Sequence, residues 1–454
     1  MTHWNPGRAA PGGTVHVVGA GLAGLAAAVG LVDAGRRVIL HEAARQAGGR
    51  CRSYHDARLG LTIDNGNHLL LSGNRAALAF LDRVGGRAAL VEADAAEFPF
   101  VDLATGERWT LRPNRGRLPW WILDPRRRVP DTRAVDHVAI LRLLRAPPGA
   151  TVGSVLSCEG PLYERLWKPV LLAALNIDPP RADAGLAAEV LRRTLGAGSD
   201  ACRPVVATAG LSAAFVDPAL TYLRAQGAEV RLGHRLQRAV VDDRRIAALA
   251  FGAEAALLGP NDAVVLAVPP WVAAGLPPGL AVPMESVGIA NVHFRMCPPP
   301  GLPLLTGLVN GLSDWLFAYP DRLSVTISGT DLAGLERSEM ADRVWKEVAG
   351  VVGPEADPAV PPPWQVVRER RATFAATPWS RGRRPGPRTV LANLFLAGDW
   401  TETGLPACIE GAVVSGTNAA RAVVEAAAAT TGSCADRLAL PGIDGLARMR
   451  PATG

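Results

Sequence analysis

Gly19, Gly21 and Gly24 stand in G-x-G-x-x-G spacing behind the apolar run Thr14–Val18, and an acid, Glu42, closes a second apolar run at Arg37–His41. Glycines so spaced hold a pyrophosphate. Gly19 permits a tight turn, Gly21 lets the backbone approach the phosphates, and Gly24 lets a helix sit close on a strand. Ala20, Leu22 and Ala23 fill the same turn, and Glu42 is placed to accept hydrogen bonds from an adenosine ribose. These residues need a strand through Val15–Val18 and a second strand ending at Glu42. Between them, a helix over Leu22–Asp33 must aim its free N–H groups and positive end at the phosphates. The pattern predicts a dinucleotide site.

Other stretches carry reactive types. Gly48-Gly49-Arg50 forms a loop able to fold over cofactor phosphates. The run Leu61–Leu71 breaks at Asp64-Asn-Gly-Asn-His68, where Gly66 permits close backbone approach. His68 reads as an acid, as a hydrogen-bond donor to the cofactor, or as a packed core histidine. Late in the chain, a buried strand at Leu394–Ala397 delivers Gly398-Asp399, and Pro406–Gly411 opens a helix through Ala407, Cys408 and Ile409. Asp399 is placed to accept a hydrogen bond from a cofactor hydroxyl, and the helix N-terminus stabilises negative charge beside it.

A chain of 454 residues with 48% hydrophobic and 20% charged residues fits a globular enzyme of two or three domains and excludes wholesale disorder. The net charge of +6 is almost entirely arginine, with only Lys168 and Lys346 as lysines. No nucleic-acid module is present. Six scattered cysteines without metal spacing read as reduced thiols of a cytosolic protein, and no metal site is expected. The polar lead Met1–Gly13 is not read as a signal peptide, and the uncharged run Val17–Val32 is explained by the glycine turn. Adjacent Trp120 and Trp121, the cluster Arg126–Arg128 and a predicted helix over Asp136–Arg145 with Val138, Leu141 and Leu144 on one face read either as interfacial binding or as a lid with a basic edge.

With both ends in view, the chain resembles the FAD-dependent amine oxidase/phytoene desaturase superfamily over roughly residues 14–422. The superfamily motifs are the Gly19–Gly24 turn with Glu42, Gly48-Gly49-Arg50, and Leu396-Ala-Gly-Asp399. Within it, the chain is similar to the hydroxysqualene dehydroxylases through Asp64–Leu71, Trp167-Lys-Pro169 with Ala173–Asn176, Arg370–Pro378 and Gly398–Ala407 with Ile409–Val413. It departs from them at Asn67, where glutamine is usual, and at Cys408, where threonine is usual.

The resemblance implies an α/β fold: a Rossmann-type FAD-binding domain, amine-oxidase-like, with an interleaved α+β substrate domain. FAD would be held by Gly19, Ala20, Gly21, Leu22, Ala23, Gly24, Glu42, Gly49, Arg50, Gly66, Asn67, Leu236, Gly398, Asp399, Ala407, Cys408 and Ile409. The discontinuous FAD domain would comprise 14–90, 200–280 and 388–425. The substrate domain would comprise 91–199 and 281–387; the segment 118–145 within it reads either as a membrane-facing surface or as a lid, and the small, polar stretch 426–454 reads as a disordered tail. The implied reaction is reductive removal of a hydroxyl from a long apolar isoprenoid, hydroxysqualene, to give squalene for hopanoid synthesis. His68 and Asp64 are the candidate proton donors, the electron donor is open, and the place of action is the cytoplasm or the inner membrane face. Two other readings stay open: a desaturase or amine oxidase working oxidatively, and a non-catalytic flavin-bound scaffold of an isoprenoid assembly.

Overall fold

The computed structural model describes residues 13–276, 279–329 and 334–438, so most of the N-terminal lead and the last part of the tail lie outside the described residues. One layer is a five-stranded parallel sheet in the order Glu229–Arg231, Val38–His41, Val15–Val18, Ala263–Leu266, Leu394–Leu396. Four of these strands are buried along their whole length, as expected of a parallel sheet covered on both faces. The helix Leu22–Asp33 lies against it, and the long helix Ile409–Leu438 packs on that helix so closely that a Cβ on Gly416 would stand 2.2 Å from the Ala23 carbonyl oxygen. The two cofactor stretches, almost 400 residues apart, therefore meet side by side.

A second, seven-stranded sheet runs in the order Trp364–Phe374, Ser286–Phe294, Arg322–Ser328, Trp315–Tyr319, Leu305–Val309, Phe98–Asp102, Arg108–Leu111. Helix Arg337–Val352 covers one face through Val344, Trp345 and Val348. Asn176 ends the helix Lys168–Leu175 in the left-handed region, φ 52°, and its amide ties that end to Thr373 and Gly329.

Several elements differ from the sequence expectation. The tail expected from 426 is helical through Leu438, because the alanine-rich run after Val424 propagates the preceding helix. Strand Val91–Glu92 pairs with Pro204–Val206, so pairing crosses the expected boundary at 90. The helix expected over 136–145 is a 3-10 helix at Ala134–Ala139 followed by one α turn at Ile140–Leu144. The tighter repeat turns Val138 and Leu141 outward and leaves Leu144 packed on the core.

Three histidines stack beside the five-stranded sheet, His16 and His41 from its adjacent strands Val15–Val18 and Val38–His41 and His234 from just after Glu229–Arg231. His16 Nδ1 lies 3.0 Å from His41 Nε2, and His41 Nδ1 lies 3.0 Å from His234 Nδ1. His234 Nε2 faces Glu254 at 3.2 Å, and because a carboxylate only accepts, the donors run one way, from His16 through His41 to His234 and on to Glu254. His41, accepting at Nε2 and donating at Nδ1, is then neutral. Burial, with His16 and His234 alongside, pushes His41 down to about 3, and burial also lowers His16. A folded-state histidine pKa below that of the unfolded chain leaves stability intact above pH 6.5 and removes it as pH falls. Unfolding at pH 5 should therefore cost about 2 kcal/mol less than at pH 7 from His41 alone. Urea melts at the two pH values check this: His41→Phe should flatten the slope, and an unchanged slope contradicts the assignment.

Candidate active site

The glycine turn has the geometry that its spacing implies. Gly19 sits at φ 105°, and a Cβ on Gly24 would stand 1.8 Å from the Gly19 carbonyl oxygen, so only glycine lets helix and turn close. A Cβ on Gly21 would meet nothing within 4 Å, which leaves open the space a pyrophosphate would take. The first intrahelical bond is Leu25 N–H to Gly21 O, 2.9 Å, so the N–H groups of Leu22, Ala23 and Gly24 stand ahead of the ladder. Glu42 accepts from Ala20 N–H at 2.7 Å and from Ala44 N–H at 2.8 Å, one on each oxygen, and so keeps lone pairs for ribose hydroxyls. His234 N–H bonds the Glu42 carbonyl at 2.8 Å, which sets the loop carrying buried Leu236 beside that acid.

Gly48-Gly49-Arg50 folds directly onto this turn. Gly48 N–H donates to Ala20 O at 2.8 Å, Gly48 and Gly49 have φ 106° and 55°, and Gly49 lies against the Gly21 backbone. Arg50 then reaches across to the other cofactor stretch. Its Nη2 donates to Asp399 Oδ1 at 2.7 Å and its Nη1 to the Ala372 carbonyl at 2.5 Å. This pair joins residues 349 positions apart and ties the two cofactor stretches together. Arg50, His68 and Cys408 are each half-buried.

Around Asp399 the loop is held by a residue that the sequence had not singled out. Arg384, buried, donates to Thr401 O at 3.0 and 2.5 Å, to Leu405 O at 2.7 Å, to Asp399 O at 3.1 Å and to Thr403 Oγ1 at 3.0 Å. Gly398 N–H is tied to Ser415 Oγ at 2.8 Å. Cys408 Sγ accepts the Gly411 N–H at 3.3 Å, a capping contact for the helix that begins at Ile409, and burial pushes its thiol up to about 11. Ala407 and Ile409 pack into the apolar core on either side. Glu410 turns away and caps the helix Arg75–Val84 through the N–H groups of Ala76 and Ala77, at 3.0 and 2.8 Å.

The segment Asp64–His68 runs between the two sheets. Asp64 is buried and spent on structure: its Oδ1 accepts Ser53 Oγ at 2.5 Å and Leu211 N–H at 2.9 Å, and burial raises its pKa. With its carboxylate engaged by Ser53 and Leu211 and only 2% exposed, Asp64 reads as a structural group and not as the proton donor. Gly66 lies against Asn291, and a Cβ there would come within 3.2 Å of the Asn291 amide nitrogen. Asn67 is read by the seven-stranded sheet. Its carbonyl accepts Tyr319 OH at 3.3 Å and Ser324 Oγ at 2.9 Å, and its Nδ2 donates to Thr326 Oγ1 at 3.1 Å. Thr326 in turn donates to Asn291 Oδ1, so the amide orientation is fixed and one Asn67 N–H stays uncommitted. Because Ser324 gives its proton to Asn67, His293 Nδ1–H must donate to Ser324 at 2.7 Å. Burial pushes His293 down to about 3, so that ring stays neutral.

His68 Nδ1 lies 2.9 Å from the Gly66 carbonyl, an acceptor, so Nδ1 carries a proton and Nε2 is the free atom. Burial lowers its pKa. Any imidazolium formed by proton uptake at Nε2 is thus a stronger acid than a free histidine.

The profile of the flavin-containing amine oxidoreductases matches residues 22–424. Hydroxysqualene dehydroxylase of Rhodopseudomonas palustris is 54% identical over 91% of this chain and 99% of its own length. The chain belongs to the hydroxysqualene dehydroxylase family of flavin-containing amine oxidoreductases. A second member, from Sinorhizobium fredii, is 51% identical over 89% of this chain and 97% of its own. In fold the chain is similar to cyclohexylamine oxidase of Brevibacterium oxydans, with TM-score 0.66 and 18% identity, over 91% of this chain and 99% of that one. Family membership makes this a flavin enzyme, and the open space at Gly21, the lone pairs of Glu42 and the Arg50–Asp399 clasp fit a flavin dinucleotide.

Proposed function

We propose that this protein is an FAD-dependent hydroxysqualene dehydroxylase that replaces the hydroxyl of hydroxysqualene with hydrogen to give squalene. The observation that carries the reading is 54% identity to a hydroxysqualene dehydroxylase over nearly the whole chain, with the dinucleotide clasp intact. FAD is the fitting flavin because Glu42 is placed for an adenosine ribose and the Leu22–Gly24 N–H groups for a pyrophosphate. When bound and reduced, FAD supplies the hydride that forms the new C–H bond.

The protein's own task is the oxygen. Asn67 has an uncommitted N–H to donate to the substrate oxygen, and His68 Nε2 takes up a proton from solvent before the C–O bond breaks. The C–O bond breaks once a proton reaches that oxygen, which departs as water. We assign that proton to His68 Nε2, because Nδ1–H is pinned to Gly66 and burial makes the imidazolium a stronger acid than a free histidine. The two electrons come from outside, through a reductant that reloads the flavin between turnovers.

The test begins with release of the bound cofactor and its identification by mass as FAD. Holoenzyme with a chemical reductant and hydroxysqualene should then accumulate squalene over many turnovers. Release of FMN, or turnover of phytoene or an amine in place of hydroxysqualene, contradicts the proposal and favours oxidative chemistry.

A further inference from the structure

Residues 118–141 hold the densest exposed apolar surface of the described residues. Leu118, Trp120, Leu123, Val135, Val138 and Leu141 are 44–63% exposed, six of the fifteen large apolar side chains so exposed. Their spacing explains the exposure. Trp120–Leu123 and Ala134–Ala139 are 3-10 helices, in which residues three apart eclipse each other. Trp120 and Leu123 therefore form one outward ridge, and Val135, Val138 and the adjoining Leu141 form a second.

The inward sides hold the ridges in place. Trp121 meets the His137 ring edge-on with centroids 5.3 Å apart, His137 meets Trp167, and Leu143 is fully buried. The two ridges are thus parts of one anchored surface and not loose loops. Trp121 and Leu143 belong to the same apolar cluster as Phe317, Tyr319 and Trp167.

Charge surrounds the ridges. Between 115 and 145 the chain carries eight arginines against three aspartates, an excess of five in a protein whose net charge is +6. The three aspartates are already engaged: Asp124 with the Arg126 N–H, Asp131 with Arg165 and Asp136 with Arg133. Arg117, Arg126, Arg142 and Arg145 are exposed and have no carboxylate partner among the described residues. No helix among the described residues is long and apolar enough to cross a membrane.

We propose that this face docks on an anionic lipid bilayer. The ridges enter the boundary between headgroups and acyl chains, with Trp120 at headgroup depth, and the unpaired arginines rest on the lipid phosphates. A ridged aliphatic surface ringed by unpaired cations matches a fluid anionic interface better than a shaped protein pocket. The inference goes beyond the proposed reaction and does not depend on it.

Flotation of the flavin-loaded protein with vesicles tests this. Binding to phosphatidylcholine mixed with phosphatidylglycerol should exceed binding to phosphatidylcholine alone by about tenfold and weaken as salt rises. Val135→Ser/Val138→Ser/Leu141→Ser and, separately, Arg126→Glu/Arg142→Glu should each lower binding by about tenfold or more, with flavin absorbance and melting temperature kept. Should the triple variant melt early, Trp120→Ser alone carries the same test. Wild-type protein that stays off the anionic vesicles, or variants that float like wild type, overturn the proposal. So does loss of a concentration-dependent self-association in the variants without any flotation of the wild type, which would make the face a protein interface.

Discussion

His68→Gln holoenzyme is expected to turn over about 100- to 10,000-fold more slowly than wild type while keeping its full complement of flavin. Glutamine can still donate to the Gly66 carbonyl, where His68 Nδ1 now sits at 2.9 Å, so the local backbone is kept and the titrating atom is lost. The pH profile separates this role from a structural one. Burial holds the His68 pKa below its ordinary value, so the acid form becomes scarcer as pH rises. Wild-type kcat should fall with rising pH above neutrality, by up to about tenfold per pH unit. The variant should lose that slope along with its rate. A variant with wild-type kcat, or a slow variant with the same slope, removes His68 from the proton transfer. Asp64→Asn offers the contrast: its carboxylate ties Ser53 to Leu211, so its loss should lower stability before it alters the pH profile.

Arg384→Met is expected to destabilise the holoprotein by about 3–5 kcal/mol and to weaken flavin binding in parallel. Methionine fills most of the stem's volume, so the loss reports the five hydrogen bonds that the guanidinium makes to the loop 399–405. Removing it strands the Thr401 and Leu405 carbonyls and frees the Asp399 backbone, and with it the partner of Arg50. Arg384→Lys restores one charge but not the fork, and should recover only part of the loss. Denaturant melts and flavin titration check both effects. Retention of wild-type flavin affinity would show that the loop holds Asp399 without Arg384.

The cofactor turn could be read because it is local. Strand, Gly19–Gly24, helix and Glu42 are set by neighbours within thirty residues, and each glycine has a steric reason visible in its spacing. The clasp between Arg50 and Asp399 was half legible: each residue stood out, but their bond depends on packing across 349 positions. Arg384 gave no sign, because an arginine in the loop Thr377–Arg388 looks like its exposed neighbours until its depth is known. The partners of Asn67 were hidden for a related reason. Tyr319, Ser324 and Thr326 meet it only through the pairing of Trp315–Tyr319 with Arg322–Ser328, a register that local pattern does not encode. Over 134–141, apolar spacing suited both α and 3-10 repeats, and the choice between them decides which side chains face outward.

If this enzyme replaces the hydroxyl of hydroxysqualene with hydrogen, its bound flavin would supply the electron pair. The most direct test is a single turnover without oxygen: holoenzyme reduced beforehand, excess reductant removed, then mixed with hydroxysqualene while flavin absorbance is followed. The oxidised flavin spectrum should return as squalene appears, mole for mole with flavin. Flavin that stays reduced beside unconsumed hydroxysqualene would contradict the account.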